Sequence, residues 1–270
     1  MSMKTSLEHL NKSKRRDLEF IVRIIREQFD QVVNFATGKK KHGQIVAIIL
    51  FGSTARGDWV KDEVNGYVSD YDVLVVVNRK ELMEEYEIWS SAEDRIGLHV
   101  KTPFSLIVHT LNEVNLQLTQ GSYFFGDIKR EGIVLFGRGI DRLKEPGDLT
   151  REERKIIAQG HFEFWFDSAR GFYRFYEVGI EEGNLNGAAI QLHQAAERYY
   201  HCLMLVYTNY KPKTHNLVRL NDLAVERDVR FTEIFPLDTK IHRRRFHLLK
   251  RAYVEARYSE HYKITEEELT

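Results

Sequence analysis

The stretch from residue 45 to residue 77, IVAIILFGSTARGDWVKDEVNGYVSDYDVLVVV, leaves few ways for the chain to fold around it. Ile45–Phe51 is a short, apolar, β-branched run that reads as a buried strand, and it stops abruptly at Gly52-Ser53. A polar, glycine-containing excursion follows. A second strand signal, Tyr71–Val77, is then entered through Asp70-Tyr71-Asp72. Side chains two apart on a strand share a face, so Asp70 and Asp72 point the same way and Tyr71 points the other. Neighbouring carboxylates repel unless something positive sits between them. Hard divalent cations such as Mg²⁺ take oxygen ligands and fill the rest of their shell with water and substrate phosphates. The Gly-Ser turn supplies what a triphosphate needs: Gly52 lets the backbone come close, main-chain N–H groups and the Ser53 hydroxyl donate hydrogen bonds, and Arg56 offsets phosphate charge.

Taken singly, a Gly-Ser after a strand marks a turn, and Asp-x-Asp at a strand start marks solvated turn chemistry. Their order (strand, Gly-Ser turn, short excursion, second strand opening on paired acids) points instead to metal-assisted nucleotidyl transfer. Gly52-Ser53 with Asp70-x-Asp72 resembles the signature of the polymerase-β-type nucleotidyltransferases, particularly the minimal ones. The resemblance implies that Gly52 and Ser53, with Arg56, hold the triphosphate of ATP or another NTP. It further implies that Asp70 and Asp72 bind Mg²⁺ and are catalytic. The spacer of residues 54–69 is longer than the family's usual gap, which suggests an enlarged hairpin or lid around residues 59–67. The family commonly carries a third carboxylate on a later strand. Residues 104–109, FSLIVH, give that strand signal but hold Ser105 and His109 there, and the nearest acid downstream is Glu113, which is the candidate to act on the acceptor.

The rest of the first half supports a small mixed sheet with flanking helices. Residues 1–16 are polar and basic and read as frayed at their start. Apolar residues recur at helical spacing over 17–35, ahead of the first strand. Residues 79–97 read as one helix and 111–118 as another. Tyr123-Phe124-Phe125 reads as aromatic packing beneath a turn, and 133–136 as a fourth strand. Glu145-Pro146-Gly147-Asp148 is a linker, and Thr150-Arg151-Glu152-Glu153 is a capping-box start. The domains are therefore placed at 1–145 and 150–270.

The second half reads as helices over 154–176, 188–207, the segment ending at Leu223, 238–258 and a capped last turn after Thr265, the pattern of a four- or five-helix up-and-down bundle. Leu192-His193-Gln194-Ala195-Ala196-Glu197, Lys211-Pro212-Lys213-Thr214-His215-Asn216-Leu217 and Ala252-Tyr253 through Ala256-Arg257-Tyr258 are similar to the HEPN helical domains. Ribonuclease members carry Arg and His four to six residues apart on a late helix. The late pairs here, Arg243 with His247 and Arg257 with His261, have three residues between them. The resemblance therefore runs to the non-nuclease relatives, which implies phosphate contact by Lys213, His215 and Arg257 in nucleotide binding and a bundle that helps enclose the acceptor. His193, Glu197 and His201 recur every fourth residue on one stripe, which reads as a polar seam rather than a metal site.

Bulk composition excludes several classes. Lys plus Arg equals Asp plus Glu at 40 each, so no global field draws the chain onto nucleic acid or an acidic membrane. One cysteine, Cys202, excludes an internal disulfide and a cysteine zinc cage. No apolar run approaches the roughly 18 residues of a membrane span, and the reading is of a cytoplasmic protein with no membrane partner. The expectation is an α/β plus all-α chain that moves NMP, AMP first among the candidates, from an NTP to a small-molecule, protein or RNA acceptor. It would act as a homodimer. The alternatives are a nucleotide-binding regulatory module of toxin–antitoxin or stress-response type, or a HEPN ribonuclease.

Overall fold

The computed structural model describes residues 3–59, 61–62 and 67–269. The chain divides into two compact units, Met1–Asp148 and Leu149–Thr270. The first runs α1 (Lys12–Asn34), β1 (Ile45–Phe51), α2 (Gly52–Arg56), β2 (Lys61–Asp62), β3 (Tyr67–Val68), β4 (Tyr71–Val77), α3 (Lys80–Met83), α4 (Tyr86–Gly97), β5 (Phe104–Thr110), α5 (Leu111–Thr119), α6 (Tyr123–Glu131) and β6 (Ile133–Gly137). A mixed four-stranded sheet has the order β5-β4-β1-β6, with β1 antiparallel to both neighbours and β4 parallel to β5.

The two central strands are buried at all seven positions each, which is why both read as unbroken apolar runs rather than alternating ones. Tyr71, Val73, Val75 and Val77 join Ile48 and Leu50 on the face packed against α1 and α4. Asp72, Leu74 and Val76 take the opposite face by the period of two, the side on which α5 and α6 lie. There Phe51 meets Phe124 edge-on at 5.5 Å and His109 meets Phe125 at 5.3 Å.

Three local expectations change. The helix expected over 79–97 is two helices, because the chain caps α3 at Glu84 and restarts after Glu85. The Leu82 carbonyl accepts from the Glu85 N–H at 3.4 Å and from Trp89 Nε1 at 2.9 Å, which ties α4 back to the end of α3, and the Lys40 ammonium pairs with Glu85. The aromatic cluster at Tyr123 opens a true helix, α6, with Phe124 and Phe125 on its buried face. Residues 1–2, at the start expected to fray, lie outside the described residues, and the segment after them lies along the sheet: Val134 N–H donates to the Lys4 carbonyl at 2.8 Å, and Leu10 is 1% exposed. In the enlarged excursion β2 and β3 pair antiparallel, while residues 60 and 63–66 of the expected hairpin lie outside the described residues.

The second unit is helical: α7 (Arg151–Glu181), α8 (Leu185–Thr208), α9 (Leu217–Val225), α10 (Lys240–Tyr258) and α11 (Glu266–Leu269). Thr150 and Glu153 close the capping box that starts α7, with the Glu153 N–H donating to Thr150 Oγ1 at 3.2 Å and the Thr150 N–H to Glu153 Oε2 at 2.8 Å. Three helices are long and two short, and α8 packs against α7, α9 and α10. Among the described residues, no helix is long and apolar enough to cross a membrane.

Because Leu10 is a core residue of the first unit, Leu10→Ala is expected to destabilise that unit by about 2–4 kcal/mol in urea unfolding. A change within about 0.5 kcal/mol would mean that the leading segment does not pack.

Candidate active site

Strand register builds the site. Phe51, the last residue of β1, pairs with Asp72, so the chain leaving β1 begins its turn beside that carboxylate. Gly52 adopts φ +73°, and a Cβ placed there would lie 3.2 Å from the Asp72 carboxyl carbon and inside contact distance of Oδ2. The turn and the acid therefore touch, and only glycine allows it. Asp72 is fully buried and Asp70 nearly so, with an oxygen of each carboxylate within 4.8 Å of the other. Two carboxylates this close and this buried make a pair of oxygen donors that a hard divalent cation could bridge.

The Gly-Ser turn continues as the single-turn helix α2. Ser53 is 6% exposed, and its hydroxyl has no hydrogen-bond partner among the described residues. A buried hydroxyl in that condition, beside a glycine that admits no side chain, suits an oxygen-rich ligand. Ser53 O accepts from the Gly57 N–H at 2.9 Å and the Asp58 N–H at 3.1 Å, which closes the turn. Thr54 Oγ1 donates to the Asp70 carbonyl at 3.1 Å, tying the turn to the acid strand. Arg56 pairs with Asp58 at 3.0 Å, at the partly exposed rim of the turn. The oxygen-only donor set, the close-approach glycine and the buried hydroxyl fit a divalent cation carrying a triphosphate.

Glu113 does not join this pair. Parallel pairing sets Ser105, buried and uncharged, directly beside Asp72. His109 lies four positions further along β5, opposite Val76, about 13 Å away along the strand. Glu113 is the N3 residue of the capping box of α5: its N–H donates to Thr110 Oγ1 at 3.1 Å, while its Oε2 accepts from the Thr110 N–H at 3.3 Å and lies 3.1 Å from His109 Nδ1. Glu113 is thus engaged as a helix cap, and an action of it on the acceptor stays a proposal. The spacing Thr110-x-x-Glu113 carries that signal in the sequence.

Residues 34–140 match the family model described as Polymerase beta, Nucleotidyltransferase, and residues 162–270 match that of the HEPN domain. The chain joins a polymerase-β-type nucleotidyltransferase domain to a HEPN domain. No curated protein in the comparison matches it.

Within the HEPN domain, His215 and Arg257 come together on a residue that the sequence reading did not weigh as a site. The His215 ring lies parallel to Tyr253 at 5.2 Å, and the Arg257 guanidinium stands 4.8 Å from the centre of the same ring. His193 stacks on Tyr253 as well, at 5.3 Å. Lys213 lies two residues before His215, with its side chain exposed. The His193, Glu197 and His201 stripe is buried as a seam: Glu197 accepts from His215 Nδ1 at 3.0 Å and faces His201 Nδ1 at 3.8 Å. Tyr253 was missed because 38 residues separate it from His215, and no local pattern records that meeting. A cavity of about 540 Å³ also opens in this domain, walled by such residues as Phe166, Tyr199, Leu203 and Phe235; its described walls carry no cation that could hold a phosphate.

Burial, then the nearby cationic groups His215 and Arg257, push the His193 pKa down to about 4. Burial, then Lys211, do the same for His201. Both rings are held neutral when folded but accept protons near pH 6.5 when unfolded. HEPN-domain stability is therefore full above about pH 6.5 and falls as the pH drops toward 4, by about 3 kcal/mol for each ring at the limit. Thermal midpoints of the wild type and His193→Phe between pH 7.5 and 4.5 test this. The variant's midpoint should fall less steeply, and parallel slopes would contradict the assignment.

Proposed function

We propose that the protein transfers a nucleoside monophosphate, AMP from ATP in the first instance, to a hydroxyl or amine of a small-molecule, protein or RNA acceptor and releases pyrophosphate. The observation that carries this reading is the contact between Gly52 and Asp72, which puts the phosphate-binding turn against the paired acids. In the reaction the acceptor atom bonds to the α-phosphorus as the bond from that phosphorus to the bridging oxygen breaks. The acceptor proton passes to solvent, and pyrophosphate carries away the electron pair. Main-chain N–H groups of the turn and the Ser53 hydroxyl hold the β- and γ-phosphates, with Arg56 at the rim. Asp70 and Asp72 would hold Mg²⁺, which when bound offsets negative charge on the phosphoryl oxygens. The HEPN residues Lys213, His215 and Arg257 make a phosphate-binding group of their own in this proposal, and the meeting of His215 and Arg257 at Tyr253 supports it. The working form is a cytoplasmic homodimer. Exposed Ile156, Phe164 and Phe175 on α7 support pairing of copies.

A second reading rests on Ser105. With a hydroxyl beside Asp72 where an acid would activate the acceptor, the domain binds nucleotide and reports it without turnover.

One experiment addresses both. Incubation with labelled ATP, Mg²⁺ and a mixed acceptor pool, read as pyrophosphate release and nucleotide-dependent mass gain, should show transfer that Asp70→Asn and Asp72→Asn each lower on the order of 10²-fold or more. Transfer that survives in both variants would sink the assignment. Metal-dependent ATP binding without release would favour the regulatory reading, and Ser105→Asp would then be the variant in which to look for turnover.

A further inference from the structure

We propose that His9 is a positioning residue for the triphosphate turn, acting from the leading segment through Thr54. The inference rests on the nucleotidyl-transfer reading of that turn and adds to it a brace from outside the strand–turn–strand signature.

The turn is short and bounded by glycines. It begins at Gly52 and ends at Gly57, both at positive φ, +73° and +93°, which glycine adopts without the clash a Cβ would bring but at a cost in backbone entropy. Between them lies a single helical turn, whose later carbonyls find their partners outside it. Ser53 O receives two N–H groups, from Gly57 and Asp58. Thr54 O receives the ring nitrogen of His9, with Nε2 3.1 Å away and 45 residues earlier in the chain. A carbonyl oxygen can only accept, so Nε2 carries the proton in that bond. Thr54 is fully buried, and its hydroxyl donates to the Asp70 carbonyl at 3.1 Å. One residue of the turn is thus bonded on one side to His9 and on the other to the backbone of a paired acid.

The leading segment is itself fixed at several points. Val134 N–H binds the Lys4 carbonyl at the sheet edge, Leu10 is buried next to His9, and Arg15 Nε donates to the Leu10 carbonyl at 2.8 Å. The imidazole sits over Gly57, where an added Cβ would stand 3.4 Å from its Cδ2 carbon, and beside the Trp59 ring at 6.4 Å. Removing the ring frees the Thr54 carbonyl and opens space over the second glycine together. The turn then samples conformations in which the Ser53 hydroxyl and its neighbouring N–H groups no longer converge, and triphosphate binding weakens in proportion to the competent fraction.

The test uses the full-length protein and reads binding as well as turnover. In Mg²⁺, His9→Ala is expected to raise the ATP dissociation constant and the KM for ATP about 5–10-fold, with kcat within about twofold. His9→Gln, whose side-chain amide offers an N–H to the same carbonyl, should recover most of the affinity. A purely structural role would instead lower the thermal midpoint and the active fraction, leaving KM unchanged in the protein that remains folded. Wild-type ATP affinity in His9→Ala, alongside its loss in Asp72→Asn, would overturn the role of His9 while leaving the site reading intact. Absence of metal-dependent ATP binding in the wild type would overturn both.

Discussion

At position 52 there is room for a hydrogen and nothing larger, because the Asp72 carboxylate fills the space a side chain would take. Antiparallel pairing of β1 with β4 creates this crowding by setting Phe51 opposite Asp72. Everything else at the site follows from that register. A slip of one residue would turn Asp72 into the α1 and α4 core and send Tyr71 toward the turn. Burial of both central strands on both faces holds the register, and Tyr71 adds to it by donating from its hydroxyl to Asp17 of α1 at 3.0 Å.

Charge gives the crowding its meaning. Two carboxylates buried within 4.8 Å of each other repel, and a divalent cation held between them would offset that repulsion. The adjoining turn presents a buried hydroxyl and a close-approach glycine, groups suited to phosphate oxygens, so a cation that arrives with a nucleotide answers both needs. In the neighbouring strand parallel pairing sets the Ser105 position directly beside Asp72.

What the sequence made legible is what is local or periodic. β1 and β4 stand out as β-branched runs, the paired acids as a period of two, and the α7 start as Thr-x-x-Glu. The same Thr-x-x-Glu pattern at Thr110 and Glu113 marks the start of α5. The break between α3 and α4 is hard to see in the sequence because Leu82, Met83, Glu84 and Glu85 all favour a helix; Trp89 reaches back across it to the Leu82 carbonyl. The meeting of His193, His215 and Arg257 on Tyr253, and the bond from His9 to Thr54, join residues far apart in the chain. Contacts of that kind leave no periodic trace.

The central claim is that the paired acids and the Gly-Ser turn form one cation and triphosphate site. Backbone NMR of the full chain titrated with Mn²⁺ in the presence of ATP tests it most directly, since the ion broadens the resonances nearest to it. The account predicts that the amides of Gly52, Ser53, Asp70 and Asp72 broaden first and together, and that Asp72→Asn removes the effect. Broadening that begins elsewhere, or that reaches the acids without the turn, would contradict it.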